Sequence, residues 1–233
     1  MKVGAVVVDF DGTACLHDVA EHLLRAFAPG DWESLDKAWE RGALGSQEVV
    51  AAQSAMLDAD RDTLLGFVRT HCEMDPTFAP FVGWAHDHGI DVAVASDGFG
   101  FYIEPLLAAA GVPPIPVITN EQVWNDDDRP GGLRFVNRHT ECVGCGTCKM
   151  QAVLSRRRDE VAVAFVGEGS SDRYGALYAD VTFAKLGLIA HCERDGVPFV
   201  PWTDFDDVRR WLEGEEPLPG PVTPELCPGW TVP

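Results

Sequence analysis

Two aspartates two residues apart, Asp9 and Asp11, stand where the Val-rich run "KVGAVVVDF" gives way to a Gly-containing loop. Carboxylates so placed can divide labour: one attacks an electrophile or binds a cation while the other exchanges a proton. Asp-Gly by itself is an ordinary turn dipeptide, but Asp-x-Asp-Gly-Thr directly after a buried strand is much more specific. Further groups follow later apolar runs. In "VAVASDG", the Ser96 hydroxyl and the following N–H groups, those of Asp97 and Gly98, could hold a phosphate; helix capping is the plainer use of Ser96. Lys149 opens a helical stretch as a point cation. "FVGEGSSD" sets Glu168 and Asp172 beyond another apolar run, acids with the oxygen chemistry that Mg²⁺ prefers, although a solvated turn acid is the plainer reading of Glu168. Together these groups converge on one site.

The elements that must position them are short β-branched runs alternating with longer amphipathic ones. Residues 2–10, 90–96, 114–119 and 160–167 read as buried parallel strands, and segments near 77–88, 101–110, 148–158, 171–178 and 204–213 read as helices. The expected fold is α/β: an open, Rossmann-like parallel sheet with its ligand site at the carboxyl ends of the strands. Residues 18–70 break the alternation as successive short helices interrupted at Pro29-Gly30, Gly42 and Asp58, a small helical insert after the first strand. A second insert, 120–147, is polar and Cys-containing, with a hairpin expected around "DDDRPGG". The expected division is a core of 1–17 and 71–213, a helical cap of 18–70, the small insert at 120–147 and a Pro-rich tail at 214–233.

At 233 residues and 46% hydrophobic, the chain can bury a large core. Its 18 basic and 37 acidic residues give a net charge of −19, which repels phosphate backbones and anionic lipid. Nucleic acid and membrane surfaces are poor partner expectations. A small anionic substrate is admissible where a metal, helix N-termini or a placed Lys reverses the local field. The short N-terminal apolar run, cut by Asp9, suits neither a signal peptide nor a membrane span, so a cytoplasmic location is expected. The oligomeric state is not legible, and a homodimer stays open.

With these residues in view, the chain resembles the haloacid dehalogenase superfamily of phosphatases, through "DFDGT" (9–13), Ser96, Lys149 and "GEGSSD" (167–172), over essentially residues 3–213. The resemblance implies that Asp9 is the nucleophile, forming an aspartyl-phosphate, and that Asp11 protonates the leaving oxygen and then activates water. It implies Mg²⁺ held by Asp9, the Asp11 carbonyl and Glu168 with Asp172 in support, phosphoryl oxygens bound by Thr13 and Ser96, and charge stabilised by Lys149. The family usually has Asp where this chain has Glu168, which implies an altered metal preference, with Mn²⁺ or Co²⁺ as further candidates. The insert after the first motif resembles the cap of the phosphoserine-phosphatase-like branch. Within it, "FAPGDW", the cysteines before Lys149, "GSSD" and "FAKLGL" are similar to the MtnX-like phosphatases of methionine salvage, which act on 2-hydroxy-3-keto-5-methylthiopentenyl-1-phosphate. Vertebrate phosphoethanolamine/phosphocholine phosphatases also carry cysteines before that lysine.

Residues 42–60 contain no Lys or Arg, and a substrate carboxylate desolvated there would cost several kcal/mol. Phosphoserine is therefore disfavoured against a neutral, partly apolar tail, with Asp18, Phe27, Trp39 and Met56 as candidates to meet it; Trp39 and Met56 serve equally as insert core. The alternative in another class is a relative that binds phosphate without turning it over. His139, Cys142, Cys145 and Cys148 share a spacing that could supply a structural Zn²⁺ site, although such dense ligands strain a tetrahedron. A reversible disulfide and simply reduced loop cysteines are the other readings.

Overall fold

The computed structural model describes residues 2–140, 142, 144–158, 161–214 and 217–222. Most of the expected Pro-rich tail, with Cys227, lies outside the described residues.

The chain begins with β1 (Lys2–Val8) and a tight turn over Phe10–Ala14. Helices α1 (Val19–Phe27), α2 (Glu33–Glu40), α3 (Ser46–Ala55) and α4 (Arg61–His71) follow. Side chains start two of them: Asp18 Oδ1 accepts Glu21 N–H, and Asp60 Oδ1 accepts Thr63 N–H, each at 2.8 Å. The chain continues through α5 (Phe78–Asp87), β2 (Asp91–Ala95), α6 (Ile103–Ala109) and β3 (Val117–Ile118). A hairpin, β4 (Glu121–Trp124) and β5 (Pro130–Arg134), precedes α7 (Lys149–Leu154) and β6 (Val161–Gly167). Then come α8 (Arg173–Tyr178), β7 (Val181–Ala184), α9 (Gly187–Asp195), β8 (Phe199–Pro201) and α10 (Phe205–Glu213).

Six strands form one sheet in the order β3-β2-β1-β6-β7-β8, and every pairing is parallel. β1 is central and buried on both faces. Val6 and Val8 join the cluster with Phe78, Phe81 and Phe205, while Ala5 and Val7 join Val153, Phe165 and Leu177 on the other side. The period of two thus divides one apolar run between two cores. β7 and β8 went unseen in the sequence because four and three residues are too short to show a Val-rich pattern. The helix α9 was missed as well.

The hairpin braces the helical insert. Ser54 Oγ of α3 donates to Gln122 Oε1 at 2.8 Å, Arg61 N–H donates to Asp128 O at 2.9 Å, and Arg129 pairs with Asp58. The two inserts therefore hold one another over the carboxyl ends of the strands.

Candidate active site

The end of β1 delivers Asp9, whose N–H still bonds Val166 O at 2.9 Å, so the carboxylate begins where the ladder stops. Lys149, the first residue of α7, is 2% exposed and reaches it: Nζ donates to Asp9 Oδ1 at 2.5 Å, to Asp172 Oδ1 at 2.6 Å and to Ser171 Oγ at 3.0 Å. Burial by itself would lower the lysine pKa. The two carboxylates, Asp172 first, more than offset that and raise it, so the ammonium stays charged. Asp172 Oδ2 in turn accepts the N–H groups of Glu168 and Gly169 at 2.8 and 2.9 Å. It fixes both the lysine and the loop bearing Glu168. Burial and the Asp172 charge push Asp9 upward, and Lys149 opposes them. Thr13 Oγ1 donates to Asp9 Oδ2 at 3.4 Å.

Asp11 is held by donors on several sides. Val19 N–H, at the start of α1, donates to Oδ1 at 3.1 Å, and Ser96 Oγ donates to Oδ2 at 3.1 Å. The hydroxyl of Tyr102 lies 3.1 and 3.2 Å from the two carboxylate oxygens. Burial first, then the Asp18 charge, lift Asp11 to about 7. A carboxyl there can both give and take a proton near neutrality. Gly12 makes the intervening turn at φ +70°, and a Cβ on it would lie 3.0 Å from Glu168 Cδ, so the glycine lets that acid lie over the turn. Gly98 is equally close: its Cβ would meet Tyr102 Oη at 2.3 Å. Its N–H donates to Ser96 Oγ at 3.1 Å.

Asp9, Asp11, Gly98, Glu168 and Ser171 open into one cavity of about 170 Å³ with Asp18, Asp36, Trp39, Ser46 and Gln53 on the helical side. Carboxylates dominate its lining, and burial with Asp172 and Asp18 raises Glu168. An excess of hard anionic oxygen beside a single engaged ammonium suits a hard divalent cation. The residues therefore fit Mg²⁺, although among the described residues no three such side chains are already drawn to a common point.

Of the expected tail-binding residues, Asp18 and Trp39 reach this cavity, and two others do not. Phe27 packs edge-on against Phe67 with ring centroids 5.2 Å apart, and both it and Met56 lie against the main apolar cluster. They are scaffold of the insert, because α4 turns that side of α1 inward. His139, Cys142, Cys145 and Cys148 surround one small void, yet no group of three or more is arranged to hold a metal among the described residues. Cys142 and Cys145 are not joined by a disulfide in this structure.

Asp97, expected to act through its N–H, has a further use for its side chain. Oδ1 accepts Thr147 N–H at 2.7 Å, Oδ2 accepts the Ser46 hydroxyl of α3, and Asn120 Nδ2 donates to Asp97 O at 2.9 Å. Tyr102, Ser171, Asp36, Gln53 and Ser46 were missed. Ser171 was within reach, since it lies inside "GSSD"; Tyr102 had no signal that set it apart from Phe99 and Phe101. Cations were missed too: an adjoining cavity of about 320 Å³ shares Trp39, Ser46, Asp97 and Ser171 and is lined by Arg173, Arg194 and His191. Both arginines pair with Asp195, at 2.5 and 3.1 Å.

The model of the haloacid dehalogenase-like hydrolase family matches residues 6–176. A 2-hydroxy-3-keto-5-methylthiopentenyl-1-phosphate phosphatase of Brevibacillus brevis is 29% identical over 211 residues, covering 88% of this chain and 93% of the relative. One of the same name from Exiguobacterium sibiricum is 29% identical over 219 residues, with 91% and 97% covered. Among solved structures, a phospho-aspartyl intermediate analogue of phosphoserine phosphatase superposes with a TM-score of 0.69 at 15% identity, covering 91% of this chain and 99% of that one. A haloacid dehalogenase family hydrolase of Salmonella enterica reaches 0.71 at 14% identity, with 93% and 74% covered. With its first acidic pair, its buried lysine and the match over 6–176, the chain belongs to the haloacid dehalogenase-like hydrolase family, on its phosphatase side.

Proposed function

We propose that this phosphatase hydrolyses 2-hydroxy-3-keto-5-methylthiopentenyl-1-phosphate through an aspartyl-phosphate on Asp9, with Mg²⁺ as its cofactor and α1 to α4 as a cap that selects the leaving group. The reaction rests on one observation above others: the ammonium of Lys149 is wedged between Asp9 and Asp172 with Asp11 opening into the same cavity. Asp9 attacks phosphorus while Lys149, Thr13 and Ser171 neutralise and orient the phosphoryl oxygens. Asp11 gives its proton to the departing oxygen and takes one back from the water that cleaves the acyl phosphate. Ser96 and Tyr102 hold that carboxyl on line throughout. Mg²⁺, held by Asp9, the Asp11 carbonyl and Glu168, would add positive charge where the phosphoryl group passes.

The substrate rests on the relatives that carry that name over nearly their full length, and on a helical side of the pocket without Lys or Arg. A second reading, an amino-alcohol phosphate, is favoured by Asp18 and Asp36 beside Trp39, a setting that would also welcome an amine. Phosphate release from the ketose phosphate, phosphoethanolamine, phosphocholine and phosphoserine separates them, with Asp9→Asn as the blank. A kcat/KM for phosphoethanolamine above that for the ketose phosphate rejects the substrate, and turnover by the blank rejects the nucleophile.

A further inference from the structure

Cys142 and residues 144–148 form the joint between α3 and the helix that carries Lys149. From α3, Ser46 N–H donates to Gly144 O at 2.7 Å, and Gln47 Nε2 donates to Cys145 O at 2.8 Å and to Cys142 O at 3.4 Å. At the other end Thr147 N–H bonds Asp97, and Cys148 Sγ accepts Gln151 N–H at 3.5 Å as the cap of α7. Within this joint Cys142 and Cys145, three residues apart, line one small void together with Cys148 and Lys149. Cys142 Sγ also accepts Gly144 N–H at 3.4 Å. Cys145 lines the open 320 Å³ cavity beside the site, which brings small solutes to the pair.

We propose that Cys142 and Cys145 form a reversible oxidation site, a disulfide that closes in response to a hydroperoxide and loosens the grip of α3 on the joint. The Cys142 thiolate attacks the peroxide O–O bond. An S–O bond forms, O–O breaks, and hydroxide leaves. Cys145 sulfur then displaces the sulfenic oxygen, which departs as water with the Cys145 proton. The two sulfurs lose two electrons and the peroxide gains two. A disulfide holds its sulfurs at about 2.05 Å, closer than any unbonded sulfur pair, so closure draws in the chain around Gly144. That is where Ser46 and Gln47 hold on.

The whole protein with Mg²⁺ is treated with hydrogen peroxide, mapped by peptide mass spectrometry, and assayed before and after dithiothreitol on a phosphomonoester it turns over. The expected product is a Cys142–Cys145 link, with kcat/KM lowered by roughly five-fold or more through positioning and restored by the dithiol. Cys142→Ser and Cys145→Ser keep the basal rate and lose the response. The proposal fails if the thiols stay unlinked under peroxide, if another pair links instead, or if the link forms without changing turnover. It fails equally if the serine variants respond like the parent, or if the purified protein carries stoichiometric zinc on these sulfurs.

Discussion

The two ends of the cavity beyond β1 are built differently. At the strand end, Asp9, Asp11, Lys149 and Asp172 are tied by short bonds to one another and to backbone, and Lys149 and Asp172 are almost wholly buried. At the helical end, Asp18 caps α1, Gln53 Nε2 donates to Asp36 Oδ1 at 2.8 Å, and the half-buried Trp39 lines the space. The first end is a closed network in which Asp9 and Asp172 share one buried ammonium and Asp11 is held by N–H and hydroxyl donors. The second is a loose wall of polar and aromatic surface. Phosphoryl chemistry tolerates little displacement, whereas the leaving group needs only a compatible wall.

Substitutions can sharpen or break this contrast. The largest effect is expected at Asp9→Asn, which removes the proposed nucleophile and lowers kcat by roughly 10³-fold or more with the fold retained, checked by phosphate release and circular dichroism. Lys149→Met strands two buried carboxylates. A loss of about 3–5 kcal/mol in unfolding free energy is expected, together with loss of turnover, checked by denaturant titration. If Lys149→Met proves as stable as the parent, the closed-network description is wrong. Chelation should abolish turnover and added Mg²⁺ restore it, and Glu168→Asp should shift the order among Mg²⁺, Mn²⁺ and Co²⁺ in a metal titration of initial rates.

Tyr102→Phe removes one donor from Asp11. It should cost about 1 kcal/mol and lower kcat by roughly 10-fold with KM little changed, read from steady-state kinetics. The smallest effect belongs to the loose wall. Trp39→Ala should lower kcat/KM for a long-tailed phosphate by roughly 10-fold and leave a small aryl phosphate nearly untouched. Equal losses on both substrates would erase the distinction between the two ends.

The same contrast explains what the sequence revealed. Asp9, Ser96 and Glu168 follow runs whose Val content marks buried strands, and an acid or hydroxyl directly after such a run is placed by the strand itself. Lys149 was legible because it opens a helix behind a dense Cys-Gly loop. Phe27 and Met56 were misplaced because whether an apolar residue on a short helix meets a cavity or a neighbour depends on the rotation of that helix. Here the rotation is set by Phe67, some forty residues on. Tyr102 sits in an aromatic run where only the fold shows which ring carries its hydroxyl to Asp11. The cations Arg173 and Arg194 come from beyond β6, so a search of the helical insert for positive charge could not meet them.

Asp97 joins segments that are far apart along the chain: Ser46 on α3, Asn120 before the hairpin and Thr147 ahead of Lys149. The Ser46 hydroxyl donates to the Asp97 carboxylate and the Asn120 amide to the Asp97 carbonyl, so a hydrophobic residue at position 46 or 120 would leave a buried oxygen short of a partner. These positions should therefore change in concert as lineages diverge. A homologue lacking the acid at 97 would be released to alter all of them, and with them the way its helical insert closes.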